Sequence, residues 1–92
     1  MLTLSPTTAF RRDLRKCQKR GLPIGELQDV IGQLASESAL AERYRDHALT
    51  GDYTGYRECH IRPDWLLIYR IDHDDLILVL TRTGTHSDLF DE

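Results

Sequence analysis

Three segments of strand-forming residues lie close together between residues 55 and 90, and they constrain the fold more than any other part of the chain. They cover residues 55–61, 65–71 and 76–83 and are rich in Tyr, Ile, Val, Trp and Thr, which favour strands. Pro63 cannot donate a hydrogen bond to a sheet, so it predicts a turn between the first two segments. The polar run 72–75 predicts the second turn. We therefore expect an antiparallel meander, followed by a short polar segment that ends in Leu89 and Phe90.

The second and third segments are apolar on both faces, which is typical of central strands with the helices on one face and something else that covers, or is concave around, the other. Two helices are predicted upstream of them. The first follows a cap at Thr7 or Thr8, ends at Gly21 and has an apolar stripe at helical spacing. The second has Pro23 in its first turn and a longer stripe. The stripe residues are Phe10, Leu14 and Cys17 in the first helix, and Ile24, Leu27, Val30, Ile31 and Leu34 in the second.

These elements predict an α+β fold with two N-terminal helices packed on one face of a small twisted antiparallel sheet. The run Leu2-Thr3-Leu4 is a candidate for a short N-terminal edge strand, ended by Pro6. With 92 residues, the chain is expected to form one domain, residues 1–92, with a limited core.

Composition indicates the compartment. Cys17 and Cys59 are too few for a disulfide scaffold, and their spacing fits no zinc motif, so reduced thiols are expected. No apolar run resembles a signal peptide or a membrane span. The sequence therefore predicts a cytoplasmic protein that does not bind a membrane.

Charge is unevenly distributed along the chain, whose net charge is −3. The first 20 residues contain six cations and one anion, whereas the rest is acidic. An acidic chain is poorly suited to bulk nucleic-acid binding through counterion release. The basic first helix either presents a solvated face or contacts phosphates locally.

Chemically reactive side chains gather at one end of the predicted meander. In an up-down-up arrangement, the first turn and the exit of the third strand lie at the same end. That end contains His60, Asp64, Arg82 and His86, with Trp65 and Phe90 beside them, whereas His73 lies in the opposite turn. His47 lies in the loop 36–54, and the pattern alone predicts only a surface position for it.

Three kinds of site could be built from these residues. His and Asp are metal ligands, but the sequence has no HxH or HExxH pair to seed a metal site. They could also cap strand ends through hydrogen bonds, as a purely structural cluster. The third possibility is general acid–base catalysis, with Arg82 holding a phosphate and Trp65 and Phe90 stacking on bases. Cleavage of RNA by its own 2′-OH would need neither a nucleophilic side chain nor a Gly-rich phosphate loop.

The chain resembles the YafQ-type toxins of the RelE/ParE superfamily of toxin–antitoxin systems. The resemblance covers nearly the whole chain and is densest in YRDHALTG, GYRECHIRPDWLLIYRI and TRTGTHSDLF, with a further match in FRRDLRKCQKRG. It implies a RelE-like fold and a ribosome-dependent endoribonuclease (an mRNA interferase) that cuts mRNA in the ribosomal A site without a metal or another cofactor. It also implies neutralisation by a cognate antitoxin, usually a small ribbon-helix-helix dimer.

The same resemblance implies roles for individual residues. Four match catalytic positions of the family: His47, His60, Asp64 and His86. Arg82 matches a phosphate-contacting arginine, and Trp65 and Phe90 match aromatics near the bound codon. We expect the 2′-OH to attack the adjacent phosphorus, with His86 protonating the departing oxygen. His47 or His60 would accept the 2′ proton, and Asp64 would orient an imidazole or share that task.

Two other functions remain possible from the sequence. A non-enzymatic inhibitor, like the gyrase-poisoning branch of the superfamily, would cause growth arrest while mRNA stays intact. The other is an inert or antitoxin-like protein-binding module whose site has drifted. The set of His60, Asp64 and His86 argues against the first, because that branch generally lacks a His-rich sheet end.

Overall fold

The computed structural model describes residues 1–90, so the last two residues of the predicted domain 1–92 lie outside the described residues. Three helices and five strands follow one another along the chain, with 3₁₀ turns at Glu42–Tyr44 and Gly51–Tyr53. In chain order the elements are β1 (Thr3–Pro6), α1 (Thr8–Lys19), α2 (Ile24–Ala35), β2 (His47–Ala48), β3 (Arg57–Arg62), β4 (Trp65–Asp72), β5 (Ile77–Gly84) and α3 (His86–Phe90).

The strands form one sheet in the order β1-β5-β4-β3-β2. The predicted α+β class, the antiparallel meander β3-β4-β5 and the N-terminal edge strand are confirmed. Three features were not predicted. β1 lies parallel to β5, which makes the sheet mixed, and the two-residue strand β2 adds a fifth member beside β3. The segment predicted as polar after the meander forms the short helix α3.

Helices α1 and α2 cover one face of the sheet through the predicted apolar stripes. Phe10 and Cys17 are buried in α1, and Leu27, Val30 and Leu34 are buried in α2. Thr7 is the cap of α1: its hydroxyl oxygen accepts from the backbone N–H of Phe10 and donates to the carbonyl of Thr81 in β5. No helix within the described part of the chain is long and apolar enough to cross a membrane.

A second, smaller apolar cluster lies on the opposite face of the sheet. Leu66 and Ile68 of β4 point to this side and pack against Leu89 of α3. The cluster is completed by half-buried residues from the loop before β3 and from α3, namely Leu49, Tyr53, Tyr56 and Phe90. The prediction that β4 is covered on both faces is therefore confirmed, because β4 separates the helix-side core from this cluster.

A β-bulge interrupts the pairing of β4 with β5. Ile68 pairs with Arg82, but its neighbour Tyr69 pairs with Leu80, which leaves Thr81 as the extra residue. A bulge turns the side chains that follow it to the other face. Arg82 consequently points to the side of Ile68, whereas unbroken alternation from Leu80 would have pointed it towards the helices.

Helix α3 is anchored to α1 through Asp88. The Asp88 carboxylate accepts from the Thr85 backbone N–H, and the Thr85 hydroxyl oxygen accepts from the Asp88 N–H, which forms a reciprocal cap. The same carboxylate pairs with Lys16 at 3.1 Å and with Arg20 at 2.7 Å. Gly84 precedes the cap with φ of +153°, and a Cβ at this position would lie only 2.8 Å from Asp88 Oδ2. Asp88 is therefore a structural partner for two cations of the basic first helix, Lys16 and Arg20.

Replacing Asp88 by Asn is expected to lower the free energy of unfolding at pH 7 by about 1 kcal/mol, because the solvent-screened ion pairs with Lys16 and Arg20 are lost, while the Asn amide oxygen can still accept from the Thr85 N–H. Arg20 beside Asp88 holds the pKa of that carboxyl well below its usual range. The contribution is therefore complete above the ordinary Asp pKa of about 3.9 and is lost as the pH falls below it. Urea unfolding at pH 7 and pH 3 should show the difference from wild type shrinking at pH 3. Asp75→Asn, in the exposed β4–β5 turn, is the matched control, and an equal loss in that variant would contradict the anchor.

Candidate active site

The strand register places the candidate site residues on the sheet face opposite α1 and α2. Directly paired residues point to the same face of a sheet. Glu58 pairs with His47 on one side and with Ile68 on the other, and Ile68 in turn pairs with Arg82. The next row places His60 opposite Leu66 and Leu66 opposite Gly84, which leads into α3. The site is therefore a set of polar side chains around the apolar floor formed by Leu66 and Ile68.

Asp64 and His86 form a short polar contact at the start of α3. His86 Nδ1 lies 2.6 Å from Asp64 Oδ1, and the His86 backbone N–H donates to the same oxygen at 3.0 Å. These two bonds, the backbone bond first, lower the pKa of Asp64, so the carboxylate is ionised at neutral pH. An ionised carboxylate only accepts, so Nδ1 must hold the hydrogen. His86 Nε2 is then the nitrogen that can exchange a proton with a substrate.

His60 lies beside both other imidazoles of the site. Its ring centroid is 5.8 Å from that of His86 and 6.2 Å from that of His47. His60 Nδ1 lies 3.3 Å from the carbonyl oxygen of Pro63. A carbonyl cannot donate, so Nδ1 is the donor and Nε2 of a neutral His60 is an acceptor. A second proton-exchanging nitrogen therefore stands next to His86.

His47 is paired with a buried glutamate that the sequence analysis did not select. His47 Nδ1 donates to the carbonyl of Arg45 at 2.7 Å, and Nε2 lies 3.0 Å from Glu58 Oε2. Two acceptors cannot share this contact, so the pair holds one proton, either on the imidazole or on the carboxyl. The Glu58 side chain is 8% exposed, and its Oε1 has no hydrogen-bond partner among residues 1–90.

The position of His47 depends on Asp46, the residue before it. The Asp46 carboxylate accepts from the hydroxyl of Tyr69 and from Arg57 at 3.3 Å. Burial and this bond raise the pKa of Tyr69, so its hydroxyl stays protonated and donating. The two contacts fix the otherwise exposed strand β2 to β3 and β4.

His47, Glu58 and His60 could also hold a metal ion. One ligand atom from each lies within 4.8 Å of the others, and the unpartnered Glu58 Oε1 offers a further lone pair. Two imidazoles and a carboxylate are a donor set that zinc and copper accept. The geometry is compatible with a metal site as well as with a proton-sharing cluster.

Arg82 is held on the site face by a residue of α1. Its Nε donates to Asp13 Oδ2 at 2.6 Å and its Nη2 to Asp13 Oδ1 at 3.0 Å, and the Thr83 N–H donates to Asp13 as well. The bidentate contact with Asp13 raises the pKa of Arg82. Nη1 takes no part in this pair, so Asp13 orients the guanidinium while leaving donors for an anion. The sequence pattern predicted that Arg82 lies near the histidines, but it contains no signal for Asp13.

Trp65 does not belong to the site, so its predicted stacking role is wrong. Its side chain is 2% exposed and belongs to the helix-side core, where Nε1 donates to the Thr83 hydroxyl at 3.0 Å. The physical reason is strand alternation, because Trp65 points to the face opposite Leu66. Phe90 does lie on the site face, where its ring packs edge-to-face against that of Tyr53 with 5.9 Å between the ring centroids. The centroids of Tyr53 and Tyr56 are 5.8 Å apart. These half-buried rings are the aromatic surface that is present.

Neither cysteine can serve as a nucleophile. Both thiols are buried, and burial raises the pKa of Cys17 and that of Cys59, the latter to about 12. A covalent thiol mechanism is therefore excluded by their protonation state at neutral pH.

The prediction that one end of the sheet gathers His60, Asp64 and His86 agrees with the structure. Glu58 was missed, although a signal for it exists: it lies two residues before His60 in a strand, and this spacing places both side chains on the same face. His47 reaches them only through β2, which is too short to leave a periodic pattern.

The comparisons with known proteins agree on one family. A sequence model of the family described as "Bacterial toxin of type II toxin-antitoxin system, YafQ" matches residues 2–91. The chain is therefore a bacterial toxin of the type II toxin–antitoxin class, and it belongs to the YafQ family. The mRNA interferase toxin YafQ of Escherichia coli K12 is 38% identical over 82 residues, which cover 88% of this chain and 87% of that protein.

Solved structures share the whole fold. A metal-bound toxin from Helicobacter pylori is 43% identical with a TM-score of 0.93, covering 98% of this chain and 100% of that one. YafQ from E. coli BL21(DE3) is 33% identical with a TM-score of 0.90, covering 98% and 99%. The toxin chain of the E. coli DinJ–YafQ complex is 34% identical with a TM-score of 0.88, also covering 98% and 99%.

Proposed function

We propose that this toxin is an mRNA interferase, an endoribonuclease that cuts mRNA on the ribosome through general acid–base catalysis without a metal. The observation that carries the proposal is the pairing of two proton-exchanging nitrogens, with His60 Nε2 and His86 Nε2 in adjacent rings whose Nδ1 atoms are bound by oxygen. Membership in the YafQ family and the name of the E. coli relative support the same activity.

The reaction needs one group to accept a proton and another to donate one. His60 Nε2 takes the proton of the 2′-OH, whose oxygen attacks the adjacent phosphorus. The bond from phosphorus to the 5′-oxygen of the next nucleotide breaks, and His86 Nε2 delivers a proton to that oxygen. The products are a 2′,3′-cyclic phosphate and a 5′-OH. Asp64 holds the His86 ring in the required orientation through its two hydrogen bonds.

The remaining site residues stabilise charge and bind RNA in this scheme. Arg82, oriented by Asp13, donates from Nη1 to the phosphoryl oxygens as negative charge develops there. The pair of His47 and Glu58 shares one proton close to His60, and it can give up or take back a proton during the cycle. Phe90 and Tyr53 offer rings for base stacking in the place predicted for Trp65.

Partners follow from the same proposal. The E. coli relative was solved in complex with the antitoxin DinJ, so we assign to this chain a cognate antitoxin, with a ribbon-helix-helix dimer as the expected form. Ribosome and mRNA are the other partners, and they place the activity in the cytoplasm. Codon-phased 5′ ends of mRNA after induced expression would support this function, whereas growth arrest with intact mRNA would support the non-enzymatic inhibitor.

Replacing His86 by Ala removes the general acid and is expected to slow mRNA cleavage on programmed ribosomes by about 100-fold or more. Single-turnover cleavage, followed by mapping of 5′ ends, measures the loss. His73→Ala is the matched control, because His73 is an exposed histidine in the β4–β5 turn. Equal cleavage by the His86 variant and wild type, at equal folded concentration, would remove His86 from the mechanism.

Replacing His60 by Ala is expected to remove the acidic limb of the pH–rate profile, where the rate rises with pH because a base must lose its proton to act. Glu58→Gln keeps His60 and should retain that limb, even if the rate falls. Retention of the limb in His60→Ala, with loss in Glu58→Gln, would instead assign the base to the pair of His47 and Glu58.

Chelation separates the acid–base site from a metal site at His47, Glu58 and His60. If these residues exchange protons, protein dialysed against EDTA should cleave isolated mRNA–ribosome complexes at the untreated rate, after Mg²⁺ is restored for the ribosome. A rate that falls at least tenfold and recovers only with zinc or copper would show that the cluster holds a required metal.

A further inference from the structure

A groove opens next to His60, at the end of β3 and beside α2, and it has no assigned role. Its volume is about 770 Å³, which lies in the range of ligand sites in proteins. Charged and aromatic side chains line it, among them Glu26, Arg43, Tyr44, Arg45, His60 and Arg62. Neither Asp64 nor His86 lines it, so the groove meets the site on the side of the proposed base and away from the proposed acid.

The polar groups of this α2–β3 groove leave a local excess of positive charge. Arg62 and Glu26 form a bidentate pair at 2.8 and 3.0 Å and neutralise each other. Among residues 1–90, Arg43 and Arg45 then face a single further carboxylate in the groove, that of Asp29. In a chain of net charge −3, a cationic groove continuous with a candidate catalytic histidine is suited to an anion.

An aromatic surface lies within the same groove. Tyr44 is half-buried, and the Arg43 guanidinium lies 4.7 Å from its ring centroid and donates to its hydroxyl at 2.7 Å. A ring with a stacked guanidinium is the kind of surface on which unpaired bases stack. Arg45 adds a cation at the edge next to His47, and its left-handed backbone, with φ of +50°, aims its carbonyl at the His47 ring.

We propose that the α2–β3 groove binds the nucleotide on the 5′ side of the scissile phosphate, with its base against Tyr44 and Arg43 and its upstream phosphate near Arg45. This rests on the proposed function, in which the 2′-OH that His60 deprotonates belongs to that nucleotide. Of the two proposed catalytic histidines, His60 lines the groove and His86 does not. We assign the groove to RNA and not to a protein segment because it adjoins the histidine that acts on the ribose, and because the large exposed apolar residues Met1, Leu4 and Leu76 all lie elsewhere.

Ribosomes programmed with mRNAs that differ only at this nucleotide test the proposal. Arg43 and Arg45 are exposed, so Arg43→Gln and Arg45→Asn should not affect folding, and Asn tolerates the left-handed backbone at position 45. Together they should raise the half-saturating concentration at least fivefold, with the maximal rate within about threefold, and Arg45→Asn should lower the salt slope of binding by about one. Tyr44→Leu should weaken binding by roughly five- to 150-fold and flatten the preference at that nucleotide.

Lys19→Gln is the matched loss of an exposed cation and should change neither constant. Wild-type cleavage with unchanged constants and unchanged nucleotide preference in the Arg43 and Arg45 variants would overturn the subsite. Unchanged cleavage combined with weaker antitoxin binding would overturn it too and assign the groove to a protein. Absence of cleavage by wild type would instead reject the proposed ribonuclease, which keeps the two failures apart.

Discussion

The register of the central strand β4 is the constraint on which the site depends. Its residues alternate between two apolar environments, with Leu67 and Tyr69 facing the helices and Leu66 and Ile68 forming the floor of the site. A slip by one residue would exchange the two sets and turn Leu67 and Tyr69 out of the helix-side core, so the register is strongly specified. Because β3 and β5 pair with β4, the same register carries Glu58, His60 and Arg82 to the open face.

Charged residues of the basic first helix position residues of the site, although the helix lies on the opposite face of the sheet. Lys16 and Arg20 hold Asp88, which caps the helix that begins with His86, and Asp13 orients Arg82. The sequence offered two readings of this helix, a solvated face or a phosphate contact. The structure shows a third role for Asp13, Lys16 and Arg20, because these residues position Arg82 of β5 and Asp88 of α3. Arg11, Arg12 and Arg15 remain on the exposed surface.

Much of the fold could be predicted because its elements follow strong local patterns. Apolar stripes predicted α1 and α2, and Pro63 predicted the β3–β4 turn. Because the first turn and the exit of the third strand lie at the same end of a meander, Asp64 and His86 were predicted to lie close together. Elements without a period were missed, as β2 with two residues and α3 with five show. Trp65 shows the opposite error, since an aromatic at the edge of a site was given a function although strand alternation already turned it towards the core.

The sequence by itself determined that an antiparallel meander would carry histidines and a carboxylate to one end, because turn positions and strand alternation are local properties of the chain. Only the tertiary structure decided which groups bind one another. The bulge at Thr81 turns Arg82 to the open face, strand β2 delivers His47 to Glu58, and Asp13 reaches Arg82 across 69 residues. The contact of Asp13 with Arg82 joins segments far apart in the chain, and β2 and the bulge leave no periodic pattern, so no spacing in the sequence records them. Packing on both faces of β4 fixes the elements that make these contacts.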